Sequence, residues 1–403
     1  MASHGRRVFG TGAWSAMAVA VSAGTGILTA RGLGPESRGT LALAVSVAGL
    51  CVLLSALGSN VAIRRHLPRR EGVTIRGYER LSVILLVPLA IVLVAVAYLM
   101  ATFVDPSFGD WRIGLAFLGY GFGYFASAQA LDLLNAQGHV SQSARINALG
   151  SLACLLFVAA CTLLQLGLVA IIWSYALSTV VQFAMALQYS RSTRGEQNGE
   201  ATGMKRLVRD GLRLLGLNLG QSLTYRADTI MLGALSAQSE VGLYAVATTP
   251  AGILRIPANA LGQSSFHDAA SGEAHPRLIF KRLAKLFLIL VPMALVGWLV
   301  ADIVFPIVYG TEYLEAADSF RILLIAELAL APFLVLGRTI AGLGSTWGAS
   351  ASGLAGVVAL LVSGALIIPA NGAVGAAWAS VIAYGTMSIV AAAVFFRLWR
   401  RPN

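Results

Sequence analysis

Apolar runs of roughly 20 residues recur along this chain from residue 8 to residue 397, separated by short polar stretches. Each run is long enough to cross a hydrocarbon core of about 30 Å as a helix. The pattern predicts twelve membrane-spanning helices, over 8–30, 39–63, 81–104, 113–135, 146–165, 167–190, 214–235, 242–264, 283–305, 319–342, 348–368 and 373–397. Two pairs should turn over tightly, at Gln165-Leu166-Gly167 and at Pro369-Ala370-Asn371-Gly372, because turn-forming residues interrupt otherwise continuous apolar sequence there. The first run is too long for the core of a secretory signal, lacks a clear cleavage site and is followed by many more spans, so it reads as a retained helix.

Composition agrees. Of the 403 residues, 57% are hydrophobic and 12% charged, about half the charge a soluble domain needs to cover its surface. The net charge of +11 would fit a nucleic-acid partner, but the placement of the charges argues against one. Roughly 22 of the 29 Lys and Arg residues fall on one side of the predicted spans. They cluster at Arg6–Arg7, 64–80, Arg145, 191–213, 277–285 and 397–401. The other side carries Arg31, Arg38 and Arg112 with the acids Asp105, Asp110, Asp302, Glu312, Glu315 and Asp318. This is the positive-inside distribution, and it predicts that both termini and the central loop are cytoplasmic, near anionic lipid.

Several classes are excluded or disfavoured. No Gly-Lys-Ser/Thr phosphate loop occurs, so the chain should not hydrolyse nucleotide. An ion gradient, the membrane potential or the substrate's own gradient must supply the energy. Cys51, Cys154 and Cys161 lie inside apolar runs with no His or further Cys to complete a metal set, and read as packing residues, so neither metal nor cofactor is expected. The external segments 105–112 and 306–318 are short for the catalytic loop of a membrane glycosyltransferase or polymerase. The chain therefore reads as a transporter and not an enzyme.

The two halves resemble one another. Gly39, Ala42, Ala44 and Gly49 are repeated as Gly242, Ala245, Ala247 and Gly252, an offset of about 203 residues. Ala56-Leu57-Gly58-Ser59 is echoed by Ala260-Leu261-Gly262-Gln263, and Gly167, Val169 and Trp173 by Gly372, Val374 and Trp378. The expected architecture is an all-α membrane protein of two six-helix bundles, 1–190 and 214–403, joined by a cytoplasmic linker 191–213. An even number of helices per half gives both halves one orientation, so the pseudo-two-fold should run along the membrane normal.

Polar faces mark the functional candidates. On the seventh span Asn218, Gln221, Ser222, Tyr225, Arg226, Asp228 and Thr229 fall within an arc of about 160°, opposite a purely apolar face. Such an arc must face a wet cavity or partner helices, because intramembrane charge is costly against lipid. Tyr244, Thr248, Gly252, Arg255, Asn259 and Gln263 line one face of the eighth span, which Pro250 and Pro257 interrupt. The tenth span adds Glu327 and Arg338 on nearly one face. Arginine binds phosphate through a permanently charged fork, and Asn, Gln and Tyr suit sugar hydroxyls. Arg226, Arg255, Asn218, Gln221, Tyr225, Asn259 and Arg338 are therefore candidate cavity residues. Asp228 and Glu327 are candidates either for a proton or cation site or for structural pairing; Arg338 and Asp132 may equally be read as snorkelling side chains. The Thr11, Ser15, Ser22 and Thr29 stripe suits helix packing, and Tyr120 and Tyr124 suit packing or sugar contact.

The segment from Ile27 through Arg31-Gly32-Leu33-Gly34-Pro35-Glu36-Ser37-Arg38-Gly39 resembles the opening of bacterial polysaccharide-biosynthesis membrane proteins. Tyr225-Arg226-Ala227-Asp228, Met231-Leu232-Gly233 and the run from Val241 to Ala247 resemble the start of their second half, and the run from Gly372 to Ala379 their last hairpin. The resemblance is to Wzx-type oligosaccharide flippases, of the superfamily that also holds multidrug extruders and peptidoglycan-precursor flippases. It implies alternating access in the bacterial cytoplasmic membrane. It also implies a polyprenyl-diphosphate-linked glycan as cargo, membrane lipid as surroundings and other polysaccharide-assembly membrane proteins as candidate partners. Arg226 and Asp228 match its motif; the remaining candidates rest on helix geometry. A drug or cation antiporter of the same superfamily is the alternative.

Overall fold

A computed structural model describes residues 2–69, 71–192 and 203–400, with side chains described except at 2–10, 213–219, 221, 346 and 400. No strand occurs among them. The helices are α1 (Ala2–Ser55), α2 (Ser59–His66), α3 (Ile75–Ile84), α4 (Leu86–Phe103), α5 (Trp111–Ala136), α6 (Val140–Leu163), α7 (Gly167–Ser192), α8 (Met204–Leu235), α9 (Gln238–Ala251), α10 (Arg255–Ala270), α11 (Pro276–Val308), α12 (Ala316–Gly342) and α13 (Thr346–Arg400).

Two of these are double spans. α1 breaks at Gly34, whose φ of 70° and ψ of 172° suit glycine before Pro35. α13 breaks at Gly372, at φ 50° and ψ −130°. Its two arms return along each other: Gly348 lies against Val394, and Gly356 against Ala383 and Met387. The other hairpin turns at Gln165 and Gly167, both at positive φ. Among the described residues, seven helices are long and apolar enough to cross a membrane. Counting each broken helix twice, and adding α5, α8 and α9 with α10, the chain makes the twelve crossings its sequence predicts.

Two spans differ in detail from their prediction. The second ends at Ser55 and resumes as α2 after a turn in which Leu57 and Gly58 take positive φ. The eighth divides into α9 and α10 around a 3-10 turn at Gly252–Leu254, directly after Pro250. A proline removes one helix hydrogen bond and crowds the preceding turn, which accounts for that break. The two breaks fall at different positions of the repeat, so the Ala56–Ser59 turn corresponds to continuous helix at Ala260–Gln263.

The chain divides into two compact units, 1–33 with 44–215, and 34–43 with 216–403. The short segment 34–43, which its sequence position assigns to the first bundle, packs with the second. Glycines explain how. A Cβ on Gly39 would lie 2.0 Å from the Gln238 carbonyl oxygen, and one on Gly242 would lie 1.9 Å from that of Pro35. Gly39 and Gly242 are the matching glycines of the sequence repeat, and here they let two helix backbones meet. Lipid gives helices no hydrophobic reason to associate, so close approach over small residues supplies much of the packing. Within unit 2, α12 is the central helix and α11 is peripheral, with Leu288, Leu299 and Ile307 largely exposed.

In unit 1 the basic end is closed by a polar clasp. His66, buried at the end of α2, has Nδ1 2.5 Å from Glu71 Oε2. Its Nε2 is 3.1 Å from Asp210 Oδ2 on α8, off line for a hydrogen bond. Arg206 donates to the Glu71 carbonyl at 2.7 Å and to its carboxylate at 3.1 Å. The hydrogen bond from His66, with the charges of Arg206 and Arg69, outweighs desolvation and holds the Glu71 carboxyl below its ordinary range.

Two outcomes follow. Gly242→Val forces backbone apart and should cost about 1–3 kcal/mol or more, seen as a lowered unfolding temperature in detergent. Gly252→Ala, where nothing lies within 4 Å, should leave it nearly unchanged. Because the Glu71 pKa is depressed on folding, its contribution is present above the ordinary carboxyl value of 4.5 and lost as pH falls through the folded value. Amide protection over 203–212, taken relative to the intrinsic exchange rate at each pH, should therefore fall below about pH 4.5, and Glu71→Gln should lower it already at neutral pH.

Candidate functional site

The polar side chains of unit 2 converge where α8, α10, α12 and α13 meet. Arg255 opens α10, just past the 3-10 turn, so the Pro250 break aims it inward. Its Nε donates to both carboxylate oxygens of Glu327 on α12 at 2.7 Å. Its Nη2 donates to the Tyr384 hydroxyl on α13 at 3.3 Å. The guanidinium carbon sits 4.2 Å from the Tyr225 ring centroid and 5.8 Å from that of Tyr384. The two rings meet edge to face, 6.0 Å apart. Arg255 is thus held by an ion pair, a hydrogen bond and two aromatic faces, a setting that favours a planar delocalised cation over lysine.

The pair is asymmetric. The Glu327 side chain is 1% exposed and that of Arg255 24%. The acid is sealed inside the helix packing, while the arginine side chain keeps some exposure, and its Nη1 has no hydrogen-bond partner among the described residues.

Asp228 forms a second cluster one turn along. Tyr244 donates to Asp228 Oδ2 at 2.7 Å and Ser380 to the same oxygen at 3.4 Å. The Thr229 backbone N–H and hydroxyl donate to Oδ1 at 2.6 and 3.1 Å. All four residues are buried. Ser380 and Tyr384 are four apart on α13, so one face of that helix serves both clusters. A third link joins Arg338 to Asn259, Nη2 to Oδ1 at 3.0 Å. Together with Gly262 against Leu334, it fixes α10 alongside α12.

The structure therefore brings Tyr225, Arg255 and Glu327 together, and pairs Asn259 with Arg338. It places Asp228 among hydroxyls instead of beside a cation. Arg226 is half-buried and engaged elsewhere. The side chains of Asn218 and Gln221 lie outside the described residues. No group of three or more His, Cys, Asp or Glu that could hold a metal ion occurs among the described residues. Tyr384 and Ser380 are additions the sequence reading passed over. Their signal was a Ser and a Tyr four apart, on one face of a mainly apolar last span.

The chain has a fold shared with solved multi-pass membrane proteins. It is similar to an inward-facing multidrug resistance MATE family transporter of the MOP superfamily, with TM-score 0.76 and 17% identity over 95% of this chain and 96% of that one. It is equally similar to the lipid II flippase MurJ in an inward closed conformation, with TM-score 0.76 and 10% identity over 97% and 88%. The eukaryotic MATE transporter AtDTX14 matches with TM-score 0.59 and 15% identity over 99% and 96%. No curated protein matches in sequence. The profile of the family described as "Polysaccharide biosynthesis protein" matches residues 12–266, and the chain belongs to that family.

Removing one partner of a buried ion pair strands the other, at a cost of about 3–5 kcal/mol, whereas an apolar pair of similar volume is often neutral. Glu327→Ala should lower thermal stability in detergent strongly, and Arg255→Met with Glu327→Leu should recover much of the loss. Equal losses in single and double variants would show that the pair does not hold α10 to α12.

Proposed function

We propose that this protein is a flippase that moves a polyprenyl-diphosphate-linked oligosaccharide from the inner to the outer leaflet of the bacterial cytoplasmic membrane, for surface polysaccharide biosynthesis. Its basic ends and both termini face the cytoplasm, its two units act as the two bundles, and transport proceeds by alternating access without covalent chemistry. The observation that carries this reading is the accessible, aromatic-backed Arg255 in a chain of the polysaccharide biosynthesis family. Its fork suits a diphosphate; Arg226, Arg338, Tyr225, Asn218, Gln221 and Asn259 supply further charge and sugar-binding polarity. MurJ, whose fold it shares, is a flippase for lipid II.

The Arg255–Glu327 pair also supplies a coupling device. A diphosphate that draws Arg255 away leaves Glu327 ionised in a sealed, apolar setting, which is strongly unfavourable. Uptake of a proton or cation at Glu327 removes that cost, so cargo entry and ion entry favour one another. Asp228 is satisfied by neutral donors and offers a second carboxylate for a cation. Those two buried acids favour the second reading, a drug or cation antiporter of the same fold.

In a strain lacking the gene, prenyl-diphosphate-linked oligosaccharide should accumulate on the cytoplasmic leaflet and surface glycan should be lost, and the wild-type gene should restore both. Arg255→Ala and Arg226→Ala, at wild-type membrane abundance, should lower export by about 10–100-fold, the loss of one charge-assisted contact. Undiminished export in both variants would overturn the role given to the two arginines. Resistance to cationic compounds conferred by the gene, with unchanged lipids in the deletion strain, would overturn the flippase reading in favour of the antiporter.

A further inference from the structure

Unit 1 holds a cavity of about 290 Å³ at its basic end, enclosed by α3, α5 and α7. Its walls are mainly apolar, with Val83, Leu86, Phe125, Ala126, Phe183 and Leu187 among them. Tyr78, Gln129 and Ser82 in the wall are already engaged with one another. Tyr78 donates to Gln129 Oε1 at 3.1 Å, and Gln129 Nε2 donates to Ser59 and Ser82 at 3.3 and 3.2 Å. What the cavity offers a guest is therefore hydrocarbon contact. Val83 lines it and is 65% exposed, and Val87 and Ile91 continue the exposed apolar face along α4. The cavity thus opens sideways onto the surface that lipid covers.

Its rim carries one basic group. Arg191, in the last turn of α7, lines the cavity and makes no hydrogen bond or ion pair among the described residues. Glu79, the acid on the rim, is itself partnered. An apolar slot opening into lipid, with an unpaired guanidinium group at the level of the headgroups, matches an amphiphile with one anionic head and a hydrocarbon tail.

We propose that this cavity binds an acyl chain of an anionic phospholipid, with the phosphate held by Arg191. At the low end of the roughly 300–1,000 Å³ of small-molecule sites, it takes one acyl chain and not a long prenyl tail. The site lies wholly within unit 1 and does not depend on the cargo assigned above.

The test is native mass spectrometry of the full chain in detergent, titrated with phosphatidylglycerol, phosphatidylethanolamine and polyprenyl phosphate. The wild type should retain one phosphatidylglycerol about fivefold over phosphatidylethanolamine, as expected for one basic residue at a membrane surface. Ala126→Trp, which fills the slot, should abolish retention, and Arg191→Gln should cut the anionic preference by about fivefold. Ala130→Leu is a milder filling variant should the tryptophan prevent folding. Unchanged occupancy in a folded filled variant, or equal retention of the two phospholipids, would overturn the site. Displacement of phosphatidylglycerol by equimolar polyprenyl phosphate would overturn the phospholipid assignment and make the cavity a tail site for the cargo.

Discussion

The ion pair between Arg255 and Glu327 sets terms for the rest of unit 2. A carboxylate sealed within a membrane helix bundle is unfavourable unless a cation and hydrogen bonds meet it. Meeting it fixes three other elements. α10 must begin where Arg255 can reach inward, which the Pro250 and Gly252 break provides. α8 must present Tyr225 beneath the guanidinium, and α13 must present Tyr384 beside it. Arg338 with Asn259 then repeats the α10–α12 link further along the same two helices.

Around that polar centre the helices are held by other means. Backbones approach closely at Gly39, Gly242 and Gly262, and Gly220 meets Gly353 in the same way. Small residues do this work because the surrounding lipid is as apolar as the side chains and offers no gain for burying them. Hydroxyls across the spans are satisfied locally: Thr224, Thr339, Ser352 and Ser363 each donate to the carbonyl four residues back. The polar groups that reach between helices are thereby confined to a few clusters. The Asp228 set and the Arg255 set are the largest in unit 2, and both draw on one face of α13.

Much of the fold was legible because the bilayer imposes one period and one length. Twelve apolar runs gave twelve crossings, and Gly167 and Gly372 marked two of the turns. The break after Ser55 was not legible, since Leu57 in a left-handed conformation carries no composition signal. Nor was the packing of 34–43 with unit 2, which depends on which glycines meet and not on the order of spans. At the site, helical periodicity correctly put Tyr225, Arg255 and Glu327 on polar faces. It did not show that Arg255 and Glu327 face each other, because periodicity orders a helix about its own axis and says nothing of its neighbours. Ser380 and Tyr384 were hidden for a related reason: two polar residues in an apolar run read as tolerated until a partner is seen across from them.

The charge balance of the site ties the chemistry of the cargo to that of any coupled ion. Arg255 and Glu327 together are neutral, so a neutral or cationic guest finds no net attraction at the guanidinium while the pair is closed. On the reading proposed above, an anionic guest competes for the fork, because the Arg255 side chain keeps exposure that Glu327 lacks. Once it does, the sealed acid is left without its partner, and no other basic side chain among the described residues bonds to Glu327. Only protonation or a small cation can then quiet it. Anion binding and cation entry are in this sense a single equilibrium, and linkage requires each to strengthen the other to the same degree.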